Sequence, residues 1–290
     1  DNLSEWIRAQ REAGNDVPVW RINQLQDLRD FRAQVETELR QFERYAADAT
    51  VATQRQAIGA AFDNAADLIL TADHTLVAQL VRFNPAAIES FVGFAADGSP
   101  LRELFANLGN ADAIVDLYVQ NLAMGINPRV AARELRRDLA VPLRRALTIS
   151  RTEMIRSYRT ASMDTYRANA TLLDGWVWLS AADRRTCAAC LAMHGTVHPL
   201  SENLNDHPQG RCTAVPWVKG RRPAIPTGDE AFRQLSEADQ RTILGPTAYD
   251  AWSTGNLRIG DMAKVVSNPR WGDSIRRKTL AELGIEKAPE

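Results

Sequence analysis

The residues best suited to bind a metal or to carry out chemistry lie in one short part of the chain. All three cysteines and three of the four histidines fall between Cys187 and Cys212, within 26 of the 290 residues. Thiolate and imidazole groups are the ligands that zinc prefers in proteins. An odd number of cysteines, two of them separated by only two residues, is unsuited to a disulfide framework. The cluster therefore predicts a metal site in a reducing compartment.

The spacing inside the cluster fits a tetrahedral zinc site. Cys187 and Cys190 form a Cys-x-x-Cys turn, which lets two sulfur atoms reach one ion at about 2.3 Å. His207 and Cys212 follow as a His-x4-Cys pair. These four residues predict a Zn2+ ion with every position filled by protein, which is typical of structural sites. The ion would replace the hydrophobic core that a small β element lacks.

Two further histidines leave the ligand set open. His194 and His198 lie in the same stretch, and either could replace His207 as a ligand or hydrogen-bond to one. A simpler alternative has no metal, with three buried, reduced cysteines beside surface histidines. A redox-active Cys-x-x-Cys is another alternative, although no βαβ pattern surrounds the motif.

The same stretch supports one enzymatic alternative. Asp206-His207-Pro208 beside a Cys-x-x-Cys is similar to the zinc-braced His-Asn-His nucleases, in which a histidine activates water and a metal ion carries the phosphate. Candidate residues for such a site are His194, His198, Asn205, Asp206 and His207. No second Asn/His pair follows at helical spacing, so a nuclease or other nucleic-acid enzyme is the alternative function. A zinc-containing DNA-binding module is a third, which the near-neutral charge of residues 168–290 does not favour.

The elements that must position the cluster are predicted to be helical. Apolar residues recur at gaps of three and four over 22–42 and again over 51–69, which predicts two consecutive amphipathic helices. Two Asn-Pro pairs, Asn84-Pro85 and Asn127-Pro128, are typical helix starts. Shorter helices are predicted at 101–108 and 114–122.

The helix that begins at Pro128 leads towards the cluster. Val141-Pro142 is expected to interrupt it, because proline lacks the N–H that a helix interior needs. A long helix is then predicted over 143–173, and after Gly175 the pattern becomes β-type. Strands are predicted at 176–179, 195–198 and 214–218, followed by a linker, two or three short helices from Asp229, and a basic tail over 271–280 that ends in a short helix.

Charge is distributed unevenly along the chain. Residues 1–128 carry 18 acidic against 10 basic side chains, a net of −8, whereas residues 129–167 carry 4 against 10, a net of +6. The basic segment could contact a negative partner, although a solvated helix face is the simpler explanation. The candidate contact residues are Arg133, Arg136, Arg137, Arg144, Arg145, Arg151, Arg156 and Arg159. No apolar run approaches the roughly 18 residues that cross a bilayer, so no membrane contact is predicted.

Several motifs taken together resemble a known family. In chain order they are Ile149-Ser-Arg-Thr-Glu153, Trp176-Val-Trp178, Asp183-Arg-Arg-Thr-Cys187-x-x-Cys190, His194-Gly-Thr-Val197 and His207-Pro-x-x-Arg-Cys212. This order is similar to that of the phage minor head proteins of the Mu F-like head morphogenesis family, over about residues 110–220. The family usually ends the motif as Pro-Asn-Cys-Arg-Cys, whereas Gln209-Gly210-Arg211-Cys212 keeps only the last cysteine. This departure makes His207 more necessary as the fourth ligand.

Pattern and resemblance together predict the fold. The expected class is mainly α, with an extended helical body followed by a small zinc-braced α+β domain and a short helical tail. Four regions are expected: an N-terminal helical region (1–110), the long-helix region of the minor head fold (111–173), a small β element with the Cys/His cluster (174–220), and a C-terminal linker with short helices (221–290).

The resemblance also implies a function. It implies a structural, non-enzymatic minor capsid protein of a tailed phage, associated with the portal and assisting head assembly, DNA packaging or DNA delivery. The portal protein is the expected partner, and packaged DNA and the major capsid protein are further candidates. The protein would be made in the host cytoplasm and would act in the virion, in the capsid interior or at the portal vertex.

Overall fold

The computed structural model describes residues 2–15, 26–83, 89–90, 92–95, 98–124, 128–268 and 272–285. It is mainly helical, with two small sheets in the second half of the chain. The α-helices are α1 (Asn2–Glu12), α2 (Gln26–Ala72), α3 (Leu101–Leu104), α4 (Ala111–Ala123), α5 (Pro128–Ala168), α6 (Ala188–Met193), α7 (Gly228–Arg233), α8 (Glu237–Leu244) and α9 (Pro246–Ser253). The strands are β1 (Leu173–Leu179), β2 (Val197–His198), β3 (Thr213–Val218), β4 (Ala263–Asn268) and β5 (Gly272–Arg277).

The chain divides into two compact units. Unit 1 comprises Asp1–Val51 and Pro100–Ser150, and unit 2 comprises Ala52–Ser99 and Arg151–Glu290. Helices α2 and α5 each supply residues to both units. The units therefore interleave along the sequence, whereas the four regions predicted above are consecutive and stay a prediction.

Helix α2 is one continuous helix where the apolar pattern predicts two. It includes residues 43–50, which were expected to separate them. That stretch contains neither glycine nor proline and has three alanines, the residue with the highest helix propensity. The prediction of two helices is therefore wrong, because a gap in an apolar stripe does not end a helix. The proposed starts at Ile22 and at Asn84-Pro85 lie outside the described residues.

Helix α5 begins at Pro128, as predicted, and continues through Pro142 without a break. A proline inside a helix costs about 3 kcal/mol through its missing hydrogen bond and its steric clash. The Pro142 ring is buried and lines an apolar recess of unit 1 together with Phe31 and Leu39. This burial offsets part of the cost, and the predicted interruption at this proline is wrong.

The three predicted strands form one antiparallel sheet in the order β2-β1-β3. Trp176 in the central strand is opposite His198 of β2 and Pro216 of β3. The proline therefore lies on an edge strand, where its missing N–H is tolerated. Trp176 and Trp178 are buried in one cluster with Met163 and Tyr166 of α5. This core fixes the C-terminal part of α5 in unit 2 against the sheet that carries the cysteine and histidine residues.

The C-terminal region contains the predicted short helices but ends differently. Helices α7 to α9 begin at the expected place and share a core that includes Phe232 and Tyr249. The basic tail forms β5, which pairs antiparallel with β4. The predicted helical tail is therefore wrong over 272–277, and within 278–285, the described residues that follow, the only helical segment is a 3-10 turn at Ala281–Leu283. No helix among the described residues is long and apolar enough to span a membrane.

Candidate metal centre

The Cys-x-x-Cys motif forms the beginning of α6, a short helix that sequence analysis did not predict. Cys187 is the N-cap residue, with an extended backbone, and its sulfur accepts a hydrogen bond of 3.4 Å from the N–H of Cys190. Cys190 is buried in the first turn of the helix. This local geometry directs both sulfur atoms to the same side, with 3.3 Å between them.

His207 completes a group of three metal-binding atoms. Its Nε2 atom lies 3.3 Å from the sulfur of Cys187 and 3.2 Å from that of Cys190. Its Nδ1 atom donates to the carbonyl of Pro208 at 2.9 Å, which orients the ring. A ligating histidine typically donates its other N–H to a carbonyl or carboxylate in this way. Cys187, Cys190 and His207 can therefore hold a metal ion.

The electrostatics of this group suit metal binding. The hydrogen bond from the Cys190 thiol lowers the pKa of Cys187 to about 4, and the contact with His207 also favours the thiolate. The same contact raises the pKa of His207 to about 9, because the thiolate stabilises the imidazolium. Hydrogen bonding to Cys187 and Cys212, together with burial, raises the pKa of Cys190. Cys187 and His207 thus favour a thiolate–imidazolium pair, and a metal would displace the Nε2 proton of the imidazolium.

A buried ion pair lies directly behind the metal-binding atoms. Nη2 of Arg159, on α5, donates to Oδ2 of Asp206 at 2.8 Å, and the two side chains are 7% and 0% exposed. Arg159 also donates to the carbonyl of Cys212 at 2.9 Å and to that of Gly210 at 3.0 Å. Burial alone would raise the pKa of Asp206, but Arg159, His207 and backbone N–H groups outweigh it, so the pKa is lowered. Asp206 is therefore a carboxylate inside the protein.

The carboxylate of Asp206 organises the loop that carries His207 and Cys212. Its Oδ1 accepts from the N–H of His207 at 2.8 Å, and its Oδ2 accepts from the N–H of Cys212 at 3.2 Å. A Cβ atom at Gly210 would lie 1.9 Å from Oδ2, so only glycine fits there without displacing the carboxylate. Asp206 thus fixes both ends of a six-residue segment around one buried charge.

The fourth predicted ligand, Cys212, lies beside the group of three and not inside it. Its sulfur forms a second group with Cys190 and Asp206, in which the three ligand atoms lie within 4.8 Å of one another. The two groups share Cys190. Cys212 and Asp206 are therefore the nearest candidates for a fourth position, and the choice of Cys212 stays a prediction.

The two other histidines of the stretch belong to neither group. His194 is buried, and its Nδ1 accepts from the N–H of Ser180 at 3.1 Å. Burial is the main reason that the pKa of His194 is lowered. His198 stacks on Trp176 at 4.3 Å, and its two ring nitrogens contact Glu202 at 2.9 Å and Thr196 at 2.8 Å. Both rings are thus engaged elsewhere in the fold.

The loop that supports the cysteines is joined to the loop of His207 by a second ion pair. Arg211 binds both oxygens of Asp183, at 2.8 and 2.6 Å. The hydrogen bonds from Arg211 hold the pKa of Asp183 well below its usual range. Asp183 also accepts from the hydroxyl of Thr186, the residue before Cys187. This bidentate arginine–carboxylate contact therefore joins the two loops that carry the metal-binding residues.

The Arg-Thr-Glu motif of α5 contacts the same loop. The hydroxyl of Thr152 accepts from the N–H of Gln209 at 3.2 Å. Glu153 is buried and is paired with Arg156 at 3.3 Å. Two motifs that are distant in sequence therefore meet here. The hydrogen bond between residues 152 and 209 spans 57 residues, and the one between residues 159 and 212 spans 53.

The arginines predicted to contact a partner fall into different environments. Arg159 is inside the protein, so the structure corrects its assignment as an external contact: it binds Asp206. Arg156 is largely buried beside Glu153. The exposed members of the set are Arg133, Arg144, Arg145 and Arg151, and the side chains of Arg136 and Arg137 lie outside the described residues. Arg145 also donates to the carbonyl of Asn107 at 3.0 Å.

The residues present fit a zinc ion. With Zn–S bonds of about 2.3 Å, ligand atoms at the corners of a tetrahedron lie about 3.3 to 3.8 Å apart. The three separations between the ligand atoms of Cys187, Cys190 and His207 are 3.3, 3.3 and 3.2 Å. An ion would require these atoms to separate by at most about 0.5 Å. The donor set of two sulfurs and one imidazole is also the chemistry that zinc prefers.

Sequence reasoning named Asp206 only as a candidate nuclease residue and placed Arg159 on the surface. The structure makes them the central ion pair behind the centre. The available signal was the position of Asp206 directly before a predicted ligand, where a carboxylate can accept from that ligand's N–H. Nothing in the helical pattern distinguishes Arg159 from its exposed neighbours, since only the contact with a distant loop makes it buried.

Residues 112–215 match the family model described as Phage Mu protein F like protein. The matched span contains all of α5, strands β1 and β2, the first half of β3 and all four predicted metal ligands. The resemblance inferred from the motifs is thus confirmed over this part of the chain, which is less than half of its length. No curated protein and no solved structure matches the chain.

Proposed function

We propose that this chain, whose residues 112–215 match the Phage Mu protein F like family, is a structural minor head protein of a tailed phage. The family match indicates phage head morphogenesis, and it is the observation that carries the proposal. The residues that the match spans are those that join α5 to the metal centre. The role proposed for this part of the chain is therefore a fixed structural unit within the phage head.

The centre would hold one structural Zn2+ ion. Cys187, Cys190 and His207 would supply three ligands, and the loop that contains Asp206 and Cys212 would supply the fourth. When bound, the ion would crosslink α6 to this loop and stabilise a sheet that has only three strands. Arg159 and Thr152 would connect the braced loop to α5.

The contacts of the histidines favour this structural role over a nuclease. A general base needs a ring nitrogen within hydrogen-bond reach of water or substrate. Both nitrogens of His207 are engaged, with the two cysteine sulfurs and with the carbonyl of Pro208. Both nitrogens of His198 are engaged as well. In this arrangement neither His207 nor His198 has a ring nitrogen free to activate water.

The portal protein is the proposed partner, and the exposed arginines of α5 are the proposed contact. Arg133 and Arg144 are exposed, and they are 11 residues apart, which is about three helical turns and places them on one face. Arginine binds carboxylates well because its guanidinium donates two parallel hydrogen bonds. Packaged DNA and the major capsid protein are further candidate partners, and the protein would act in the virion after synthesis in the host cytoplasm.

Co-purification with the portal protein of the same phage tests this proposal. The native chain should bring down the portal protein at low salt, and the Arg133→Glu/Arg144→Glu variant should do so at least about tenfold less, because like charges now face an acidic surface. Arg102→Glu is the matched control, since Arg102 is 74% exposed in the same unit but lies outside α5.

Failure of the native chain to bind the portal protein would contradict the proposal. Equal binding by the α5 variant and the Arg102 variant would overturn the assignment of the contact face. Tight, salt-sensitive binding to random duplex DNA, lost in the α5 variant, would assign the arginines to DNA instead.

A further inference from the structure

We propose that Asp206, through its Oδ1 atom, and not Cys212 is the fourth ligand of the metal. The inference rests on the zinc site of the proposed function and specifies its donor set as two sulfurs, one nitrogen and one oxygen. Three observations carry it: the position of Oδ1, the different partners of the two carboxylate oxygens, and the space left by Gly210.

The Oδ1 atom of Asp206 lies at the spacing of metal ligands from two of the three metal-binding atoms. It is 3.4 Å from the sulfur of Cys190 and 3.7 Å from Nε2 of His207. Both distances match the separation of about 3.3 to 3.8 Å between ligand atoms in a tetrahedral zinc site. Cys212 and Asp206 each share a group with Cys190, and neither shares one with Cys187 or His207 among the described residues. The separation of 3.7 Å between Oδ1 and Nε2 of His207 is therefore the distance that favours Asp206.

The two oxygens of Asp206 have different partners. Oδ2 accepts from Nη2 of Arg159 at 2.8 Å and from the N–H of Cys212 at 3.2 Å. Oδ1 accepts from the N–H of His207 and faces the sulfur of Cys190. Carboxylates that bind a metal through one oxygen are commonly held by hydrogen bonds of this kind. Arg159 is a positioning residue, which fixes Oδ2 so that Oδ1 points at the centre.

The backbone leaves room for the carboxylate of Asp206 at Gly210, which has no side chain. A side chain at Gly210 would begin 1.9 Å from Oδ2, and Gln209 beside it has a φ of 59°, in the left-handed region. The loop thus adopts a strained conformation that brings it close to Asp206 without blocking it. This close packing against Oδ2 holds the carboxylate in place, with Oδ1 facing the sulfur of Cys190.

Charge balance supports the same choice. Two thiolates and the Asp206 carboxylate carry three negative charges, which Zn2+ and the buried Arg159 cancel. A third thiolate from Cys212 would add a negative charge beside a carboxylate that is 0% exposed. In the proposed set Cys212 stays a buried thiol that packs in the core around Trp178.

X-ray absorption at the zinc edge of the unmodified, zinc-loaded chain tests the proposal directly. The expected first shell contains two sulfurs and two lighter atoms. Three sulfurs and one nitrogen would overturn it. Finding no bound zinc would overturn both this inference and the zinc site, while portal binding would still be tested independently by co-purification.

Ligand variants give a second test that does not need activity. Cys212→Ser should keep one zinc per chain and an affinity within a few-fold of the native chain, whereas Cys190→Ser, the positive control, should lose at least about 100-fold. Asp206→Asn should lose at least about tenfold. In the cobalt-substituted protein, the thiolate-to-cobalt absorption should be unchanged by Cys212→Ser, since that band depends on ligating sulfurs only. A drop of about one third in that band would overturn the assignment by identifying Cys212 as one of three sulfur ligands.

Discussion

Replacing Arg159 with methionine should strongly destabilise unit 2. Methionine keeps much of the side-chain length but removes the charge, so the Asp206 carboxylate, which is 0% exposed, loses its buried partner. Breaking a buried ion pair on one side costs about 3–5 kcal/mol, because the remaining charge is left without compensation. The carbonyls of Gly210 and Cys212 also lose a donor. The N–H groups of His207 and Cys212 still bind the carboxylate, so the lower end of this range, about 3 kcal/mol, is expected.

Urea unfolding in the presence of a chelator measures this cost without a contribution from metal binding. Near-ultraviolet circular dichroism follows the tightly packed tryptophans of β1, of which Trp176 is fully buried. Arg102→Met is the matched control: its ion pair with Asp48 is 74% and 60% exposed, so it should cost only about 0–1 kcal/mol. The double variant Arg159→Met/Asp206→Leu should recover part of the loss, because no charge is then left buried. A cost for Arg159→Met no larger than that of the control would refute the role given to the pair.

Three further outcomes follow from the geometry of the loop. Gly210→Ala should cost about 1–3 kcal/mol and weaken zinc binding, because the added Cβ atom would meet Asp206. Gly260→Ala is the control: a Cβ atom there would have no other atom within 4 Å, so it should be close to neutral in the same unfolding and zinc titrations. Thr152→Val should cost about 1 kcal/mol by leaving the N–H of Gln209 without this acceptor; an unchanged urea midpoint would contradict it. Because the pKa of His207 is raised to about 9, zinc must displace its proton, and competition titrations should show affinity rising at least about tenfold per pH unit from about pH 7 towards 9. A flat pH profile would contradict that displacement.

Much of the fold could be predicted from local pattern. The strands around Trp176, the start of α5 at Pro128 and the helices after Asp229 each have a clear signal in adjacent residues. The errors have two causes. Pro142 is tolerated inside α5 because its ring is buried in unit 1 beside Phe31 and Leu39, which are distant in sequence. Strand β5 pairs with β4, which directly precedes it, so this hairpin is a local signal that the sequence analysis missed.

The site was predictable to a similar extent. The spacing predicts that Cys187, Cys190 and a histidine meet, and the structure shows that this histidine is His207 and not His194 or His198. The role of Asp206 and the interior position of Arg159 depend on a contact across 47 residues. Arg159 is one of several arginines on α5, and its position in the helix does not indicate such a contact. Its burial could therefore be found only from the structure.

The central claim is that this chain is a structural part of a phage head. Quantitative mass spectrometry of purified, nuclease-treated heads from the phage that encodes it tests this most directly. The chain should be present in mature heads, at low copy relative to the major capsid protein, and should remain with the portal vertex when heads are disrupted. Its absence from purified heads, with the portal and major capsid proteins present, would contradict the account.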